Sequence, residues 1–485
     1  MIACLAVWAL AAGTSWLVGA AVLRVVRAAG VPGPPPDHSV TILFGLCCIT
    51  VLGGVWSLGA PLGPWMVAGA LAVLAAASAA TLLFVPDREA RTRRVSWVET
   101  ALLGLVVAAA AAQAAGPILL VDTGLYHIQA IRWIEQHPAV PGLANLHHRL
   151  AFAAPWFEAQ AIFDPALFGG RAAFALNGLV FVVAVRFFLG GIGRTSRGSG
   201  LLRLACLPAA FWLLRRGLSS ASPDGTVALL SWVVLALLAE KIESGAAAAI
   251  DAAAWEITAL ACFAAMIKLP AALLLLASAW LIVRNLRVDR RRALALAALA
   301  AAVAVPFLLR SVIVSGYLLF PIGRVPGLAW TLPAAKTAGF LRQIVDAARL
   351  PYQAHVPVLD FAAWVPGWFR RLTLVERCLV AAPPVLALLH AARALRRHGR
   401  QAVAWPAGYP LLAGATFAGS LLWLLAAPDP RFGWGYFPLL AILLTIPLAA
   451  GWIGRLPRRA LVLLVALVLL DQVRRVAVQQ RSTLP

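Results

Sequence analysis

The chain has 485 residues, 62% hydrophobic and only 12% Asp, Glu, Lys or Arg, with a mean hydropathy of +0.87. Apolar runs of about 18 or more residues, the length that spans a bilayer, recur from end to end and exclude a soluble domain with a single anchor. The net charge of +22, from 41 Lys plus Arg against 19 Asp plus Glu, sits mostly as Arg in short loops. With neither zinc-finger spacing nor basic-aromatic interleaving, it points to cytoplasmic anchoring and anionic lipid headgroups, and to no nucleic acid.

Backbone groups in lipid must bond within their own segment, so the expected fold is all-α, a transmembrane bundle of about 14 helices. Residues 1–485 form a single integral membrane domain. The first helix covers 2–23; without a basic flank before it, it reads as retained rather than cleaved. Arg24, Arg27 and a VPGPPPD linker follow, and the Pro cluster cannot continue a helix. Helices over 40–59 and 62–85 meet at Pro61 and Pro64. The run DREARTRR, 87–94, marks a cytoplasmic loop, so the helix over 97–116 runs outward and delivers Asp122 to the external face.

The first large external loop, 117–171, holds Asp122, Tyr126, His127, Gln129, Arg132, Glu135, His137, Asn145, His147, His148 and Arg149, in a chain that spends few polar residues elsewhere. Within it, Leu125, Ile128, Ile131 and Ile134 recur every three residues and predict an amphipathic helix over 124–136 lying along the interface. Asp122 or Thr123 is placed to cap it. A half-apolar piece covers 150–168.

Helices then follow over 172–192, up to Arg215 and Arg216, over 226–239, from 252 to Lys268, back by 283, and out to Arg310. Basic loops at 194–203, 284–292 and 393–400 join 87–94 in fixing the alternation. Asp122, Asp224, Lys268, Arg310, Asp429 and Arg431 then fall toward the opposite face. The second large external loop, 315–372, is rich in Pro and Trp and predicts interfacial helices and ordered loops. Helices over 374–392, up to 428, back to 455 and over 460–471 complete the chain, the last leaving 471–481 outside, against the charge rule. The six cysteines lie in or beside apolar runs and read as small apolar groups.

Each polar residue has a chemical and a structural reading. Asp122, at a helix exit, can act as a general base toward an acceptor hydroxyl, help bind a divalent ion (Mg or Mn), or merely cap a helix. His127, with Tyr126 beside it, can hold phosphate or shuttle a proton; His147, His148 and Arg149 can contact phosphate. Lys268 and Arg431 are counter-charges for a lipid phosphate or snorkelling anchors. Arg310, embedded in an apolar helix, is a further candidate phosphate contact or is structurally paired. Asp224 is a candidate acceptor or sugar contact, and Tyr317 and Trp330 stand at the interface or stack on a sugar.

The segments DTGLYH, Asp122 to His127, and VPGLANLHHR, Val140 to Arg149, resemble a group of uncharacterised bacterial polytopic membrane proteins. More distantly, the layout resembles the GT-C superfamily of lipid-dependent glycosyltransferases, which place an acidic residue in the first large external loop. That resemblance implies a polyprenyl-phosphate-linked sugar as donor, Asp122 as the catalytic carboxylate, and Lys268 and Arg431 on the phosphate. Thr123 stands where a second acid is usual, and three helices precede the outward one where many relatives have one.

The expected activity is transfer of the sugar to an envelope glycan, lipid or protein at the external face of the bacterial inner membrane. The alternatives are a transporter or flippase for a lipid-linked or anionic solute, and a noncatalytic subunit working with envelope assembly proteins.

Overall fold

The computed structural model describes residues 1–33, 37–85, 97–118, 120–164, 175–215, 217–350, 355–396 and 405–483. Helices form where the apolar runs lie. The first four are α1 (Ile2–Ala28), α2 (His38–Gly59), α3 (Pro64–Phe84) and α4 (Trp97–Ala114). A π-helical turn, Thr123–His127, leads into α5 (Ile128–Gln136); two 3-10 turns separate it from α6 (Pro155–Ile162). Next come α7 (Leu176–Leu189), α8 (Gly198–Leu213), α9 (Asp224–Glu243), α10 (Ala252–Ile267), α11 (Leu275–Asn285) and α12 (Arg290–Ser315). A small antiparallel hairpin of β1 (Tyr317–Leu319) and β2 (Ile322–Arg324) interrupts the helices. The chain ends with α13 (Ala334–Arg349), α14 (Phe361–Arg371), α15 (Leu374–Arg396), α16 (Tyr409–Ala426), α17 (Pro430–Gly433), α18 (Phe437–Ile453) and α19 (Arg458–Thr483).

Among the described residues, nine helices are long and apolar enough to cross a membrane: α1 to α4, α7 with the turn after it, α9, α12, α15 and α16. Helices α8, α10 and α18, and α11 with the 3-10 turn before it, are apolar but shorter. The protein is therefore all-α and multi-pass. Helices α7 and α9 are the most enclosed, with 89% and 83% of their apolar windows buried, whereas α3 (11%) and α15 (0%) stand at the rim.

The scarce acids do local work first. Asp37, Asp251, Asp289, Asp360 and Asp429 cap the helices that follow them, each side chain accepting a backbone N–H. Small residues let α1 and α2 approach closely: a Cβ on Gly45 of α2 would lie 1.7 Å from the Ser15 carbonyl of α1, the kind of backbone approach that small residues permit in lipid.

Charge is segregated to the two ends of the enclosed helices. Helix α9 has 20 residues, about 30 Å of helix, close to the hydrocarbon thickness. Asp224 stands at its start. At its other end Arg203, 1% exposed, pairs with Glu240 and reaches Asp37 at 3.5 Å, Arg186 meets Asp37 at 3.3 Å, and Lys241 meets Asp251 at 2.7 Å. Arg194 joins that layer through Glu240 at 3.4 Å. The 194–203 loop therefore lies at the end opposite Asp122, as the alternation requires. The basic loop 87–94 and residues 397–400 lie outside the described residues, as do 165–171 and 351–354 of the two large loops.

Three expectations need correction. The first helix continues through Arg24 and Arg27, because Arg24 bonds to backbone carbonyls at the end of α3, Leu82 and Val85. The last helix runs to Thr483; Asp471 pairs with Arg474 and Arg475 one turn on, which supports the helix through its polar half. The third concerns the piece predicted over 124–136. The face it turns inward is Thr123, His127, Ile131 and Ile134, while Leu125 is 43% exposed. The wide π turn at 123–127 puts two polar side chains where an apolar stripe was expected.

The two large loops pack on each other. Gly142 donates its N–H to the Ile313 carbonyl, and Asn145 donates its amide to the Trp330 carbonyl at 2.7 Å. Ala144 and Ala151 share a small core with Tyr317, Phe320, Leu332 and Phe340. The hairpin, for which the sequence carried no signal, brings Tyr317 and the turn residue Phe320 into this core.

Candidate functional site

Six charged residues from five separate segments meet at one end of the bundle. Asp122, just after the apolar α4, places Oδ1 3.1 Å from Arg149 and Oδ2 3.1 Å from Arg431. Arg431 also grips both oxygens of Asp429 at 3.3 Å and lies 3.9 Å from Asp224. Asp224 is paired with Lys268, which stands 4.2 Å from the Phe432 ring. Three carboxylates thus face three cations.

Local structure explains each position. Lys268 is extended (φ −153°, ψ 126°) at the break between α10 and the 3-10 turn that starts at Leu269 and Pro270. Pro270 cannot continue the helix, so the Lys leaves it. Arg431 sits in the one-turn helix capped by Asp429. Asp224 starts α9 behind the turn 217–223, which Asn177 of α7 holds by donating its amide to the carbonyls of Gly217, Ser220 and Ser222 at 3.3, 2.6 and 2.8 Å. Thr226 donates back to the Asn177 carbonyl oxygen at 2.9 Å. Thr123 meets Ser220 hydroxyl to hydroxyl at 2.5 Å, tying the Asp122 segment to that turn.

Asp122 does not use its side chain as a helix cap; both of its oxygens face guanidinium groups instead. The side chains of Asp122, Arg149 and Arg431 keep 24%, 29% and 29% exposure, and that of Asp224 keeps 6%. Burial disfavours the Arg431 charge, but Asp224, Asp429 and Asp122 outweigh it and hold the guanidinium protonated. A cleft of about 10 Å³ runs between Asp224, Lys268, Arg431, Phe432 and Tyr436, room for about one water.

A family described as a domain of unknown function, DUF8201, matches residues 1–438, which include every member of this cluster. The chain belongs to that family. No curated protein matches it.

In this DUF8201 protein, Tyr126 and His127 lie beside the cluster. Their rings are 4.2 Å apart, and Arg149 stands 5.7 Å over Tyr126. His127 is 1% exposed, and among the described residues its Nδ1 has no hydrogen-bond partner. Burial lowers its pKa to about 4, even though Asp224 and Asp122 pull it upward. The imidazole is therefore neutral at pH 7 and can accept a hydrogen bond.

His127 also gives a pH prediction. The unfolded imidazole binds a proton near 6.5 and the folded one near 4. Its contribution is complete above 6.5 and is lost as pH falls from 6.5 toward 4. The span corresponds to about 3 kcal/mol. Apparent unfolding midpoints in detergent should fall less steeply between pH 6.5 and 4 for His127→Gln than for wild type; parallel curves would contradict the assignment.

The remaining predicted residues lie apart from the ion pairs. His147 and His148 stack at 4.8 Å, and His148 lies 4.1 Å from Phe340, forming an aromatic ledge next to Arg149. Tyr317 is buried, its hydroxyl within bonding distance of Leu332 and Thr337. Trp330 donates to the Val312 carbonyl. Both support the contact between the loops. Arg310 is buried with Glu158 of α6 at 3.0 Å and donates to the Ser57 hydroxyl at 3.0 Å; its contacts do not include the cluster.

Asp429 was legible as an outer-face residue but not as a site member; only its spacing from Arg431 hinted at the pairing. Among the described residues, no group of three or more His, Cys, Asp or Glu is placed to hold a metal ion. Asp122, Asp224 and Asp429 are each satisfied by a cation, so in this arrangement they do not fit a divalent ion.

Proposed function

We propose that the protein is a GT-C-like membrane glycosyltransferase, moving a sugar from a polyprenyl-phosphate-type donor to an envelope acceptor. The observation that carries this reading is a partly exposed cluster in which Arg149 and Arg431 hold Asp122 while Lys268 holds the neighbouring Asp224, at one end of the apolar helices. Phosphate on a long lipid would arrive at that depth, and Arg and Lys are suited to its oxygens. In the proposed step Asp122 takes the proton of an acceptor hydroxyl. The acceptor oxygen bonds to the anomeric carbon, and the bond from that carbon to the phosphate oxygen breaks. The electron pair leaves with the phosphate, whose charge Arg149, Lys268 and Arg431 offset.

One observation favours a second reading, transport of a lipid-linked or anionic solute. Lys268 lies at a break between helical segments, a feature of transporter binding sites. Labelled-sugar transfer in proteoliposomes separates the two: transfer supports the enzyme, and solute movement without transfer supports the transporter.

The reading also requires both large loops on the external side of the inner membrane. In a cysteine-free background, His137→Cys and Arg324→Cys, both at exposed positions, should each react with an impermeant thiol reagent on intact cells. Labelling of only one, or of either only after permeabilisation, would contradict it.

A further inference from the structure

Phosphate cannot simply add to this cluster. Its three carboxylates are each paired with a cation, and the cleft beside Lys268 and Arg431 has room for about one water. An incoming anion gains the full donor sets of the paired cations only where a carboxylate gives way. Asp429 is fixed by accepting the backbone N–H of Arg431 at 3.0 Å, and Asp224 is 6% exposed and locked to Lys268. Asp122 is the one left to move. It is 24% exposed, makes no capping bond, and among the described residues its side chain is held by two guanidinium donors, Arg149 and Arg431, both at 3.1 Å.

Resting on the phosphate reading of this site, we infer that the phosphate group of the substrate and the Asp122 carboxylate compete for Arg149 and Arg431, so that binding of the donor releases Asp122 to meet the acceptor. The phosphate joining sugar to lipid has two terminal oxygens, the same number as Asp122, so it can take the place of the carboxylate between the two forks, and guanidinium-phosphate pairing is strong and bidentate. Without donor, both Asp122 oxygens face guanidinium donors and do not meet a hydroxyl. With donor, they turn toward the acceptor. The protein is thereby guarded against activating an acceptor, or water, when no sugar is present.

The test is calorimetric titration of detergent-solubilised full-length protein with inorganic diphosphate and with a ten-carbon prenyl phosphate. Removing the competitor makes Asp122→Asn bind both about tenfold tighter than wild type, the scale of a close interfacial charge pair. Asp122→Ser gives the same direction should the Asn variant fold poorly. In an Arg149→Gln background the gain shrinks, because the two residues act through one pair. Unchanged or weaker binding by both Asp122 variants, with wild-type binding intact, overturns the competition. Binding that requires Mg and vanishes in Asp122→Asn overturns it too, making Asp122 a metal ligand. If wild type and variants all fail to bind either probe, the phosphate reading itself falls.

Discussion

Asp122→Asn is expected to lower sugar transfer about 100-fold or more, the usual range for loss of a general base. Asn keeps the size of the side chain and can still accept one bond from Arg149 or Arg431, so the fold should survive. It cannot take a proton from an acceptor hydroxyl. The helix-cap reading predicts almost no effect, since Asn caps as well as Asp, and in the structure the Asp122 side chain makes no capping bond. Transfer of labelled sugar from a lipid donor in proteoliposomes is the measurement. Lower turnover together with tighter phosphate binding is a pairing that neither a cap nor a metal ligand would produce. Wild-type-like transfer by the Asn variant would remove Asp122 from the chemistry.

The second large effect concerns stability. Glu158 is 0% and Arg310 4% exposed, and they meet at 3.0 Å as a close pair rather than an aligned hydrogen bond. Removing one partner of such a pair leaves an uncompensated buried charge and should cost about 3–5 kcal/mol. Arg310→Met and Glu158→Met should each lower the apparent unfolding midpoint in detergent sharply. The double variant should recover most of that loss, because a buried pair replaced by apolar groups of similar volume is often neutral. Diphosphate binding by whatever Arg310→Met protein remains folded should match wild type. A double variant as unstable as the sum of the singles, or lost binding in folded Arg310→Met, would contradict a purely structural role.

Much of the site was legible because charge is expensive in a chain this apolar. Asp122, Arg149, Asp224, Lys268 and Arg431 stood out against their neighbours, and the structure brings all five together. Their pairing was not legible. Nothing in the sequence says that Arg431 bridges Asp122 and Asp429, or that the cations already have partners. Arg310 looked functional for the same reason as Lys268, an isolated cation in an apolar run. Its partner, Glu158, lies in a different segment and carries no local signal. His127 was singled out, but its burial was hidden by the π turn, which breaks the three-residue spacing that set the predicted face. The membrane-length helices were read from apolar runs, the strongest signal in such chains. The hairpin at 317–324 was missed because its strands have three residues each, too short for an alternating pattern.

On the proposed reading, a lipid phosphate sits in the cluster around Asp122. A cryo-EM map of the full-length protein in nanodiscs with a ten-carbon prenyl phosphate tests it most directly. The account predicts phosphate density in contact with Arg149, Arg431 and Lys268, with the Asp122 carboxylate turned away from the two guanidinium groups. Phosphate density only at the opposite ionic layer, around Arg186 and Arg203, or only at the exposed surface beside Arg284 and Trp280, with Asp122 still paired to both arginines, would contradict it.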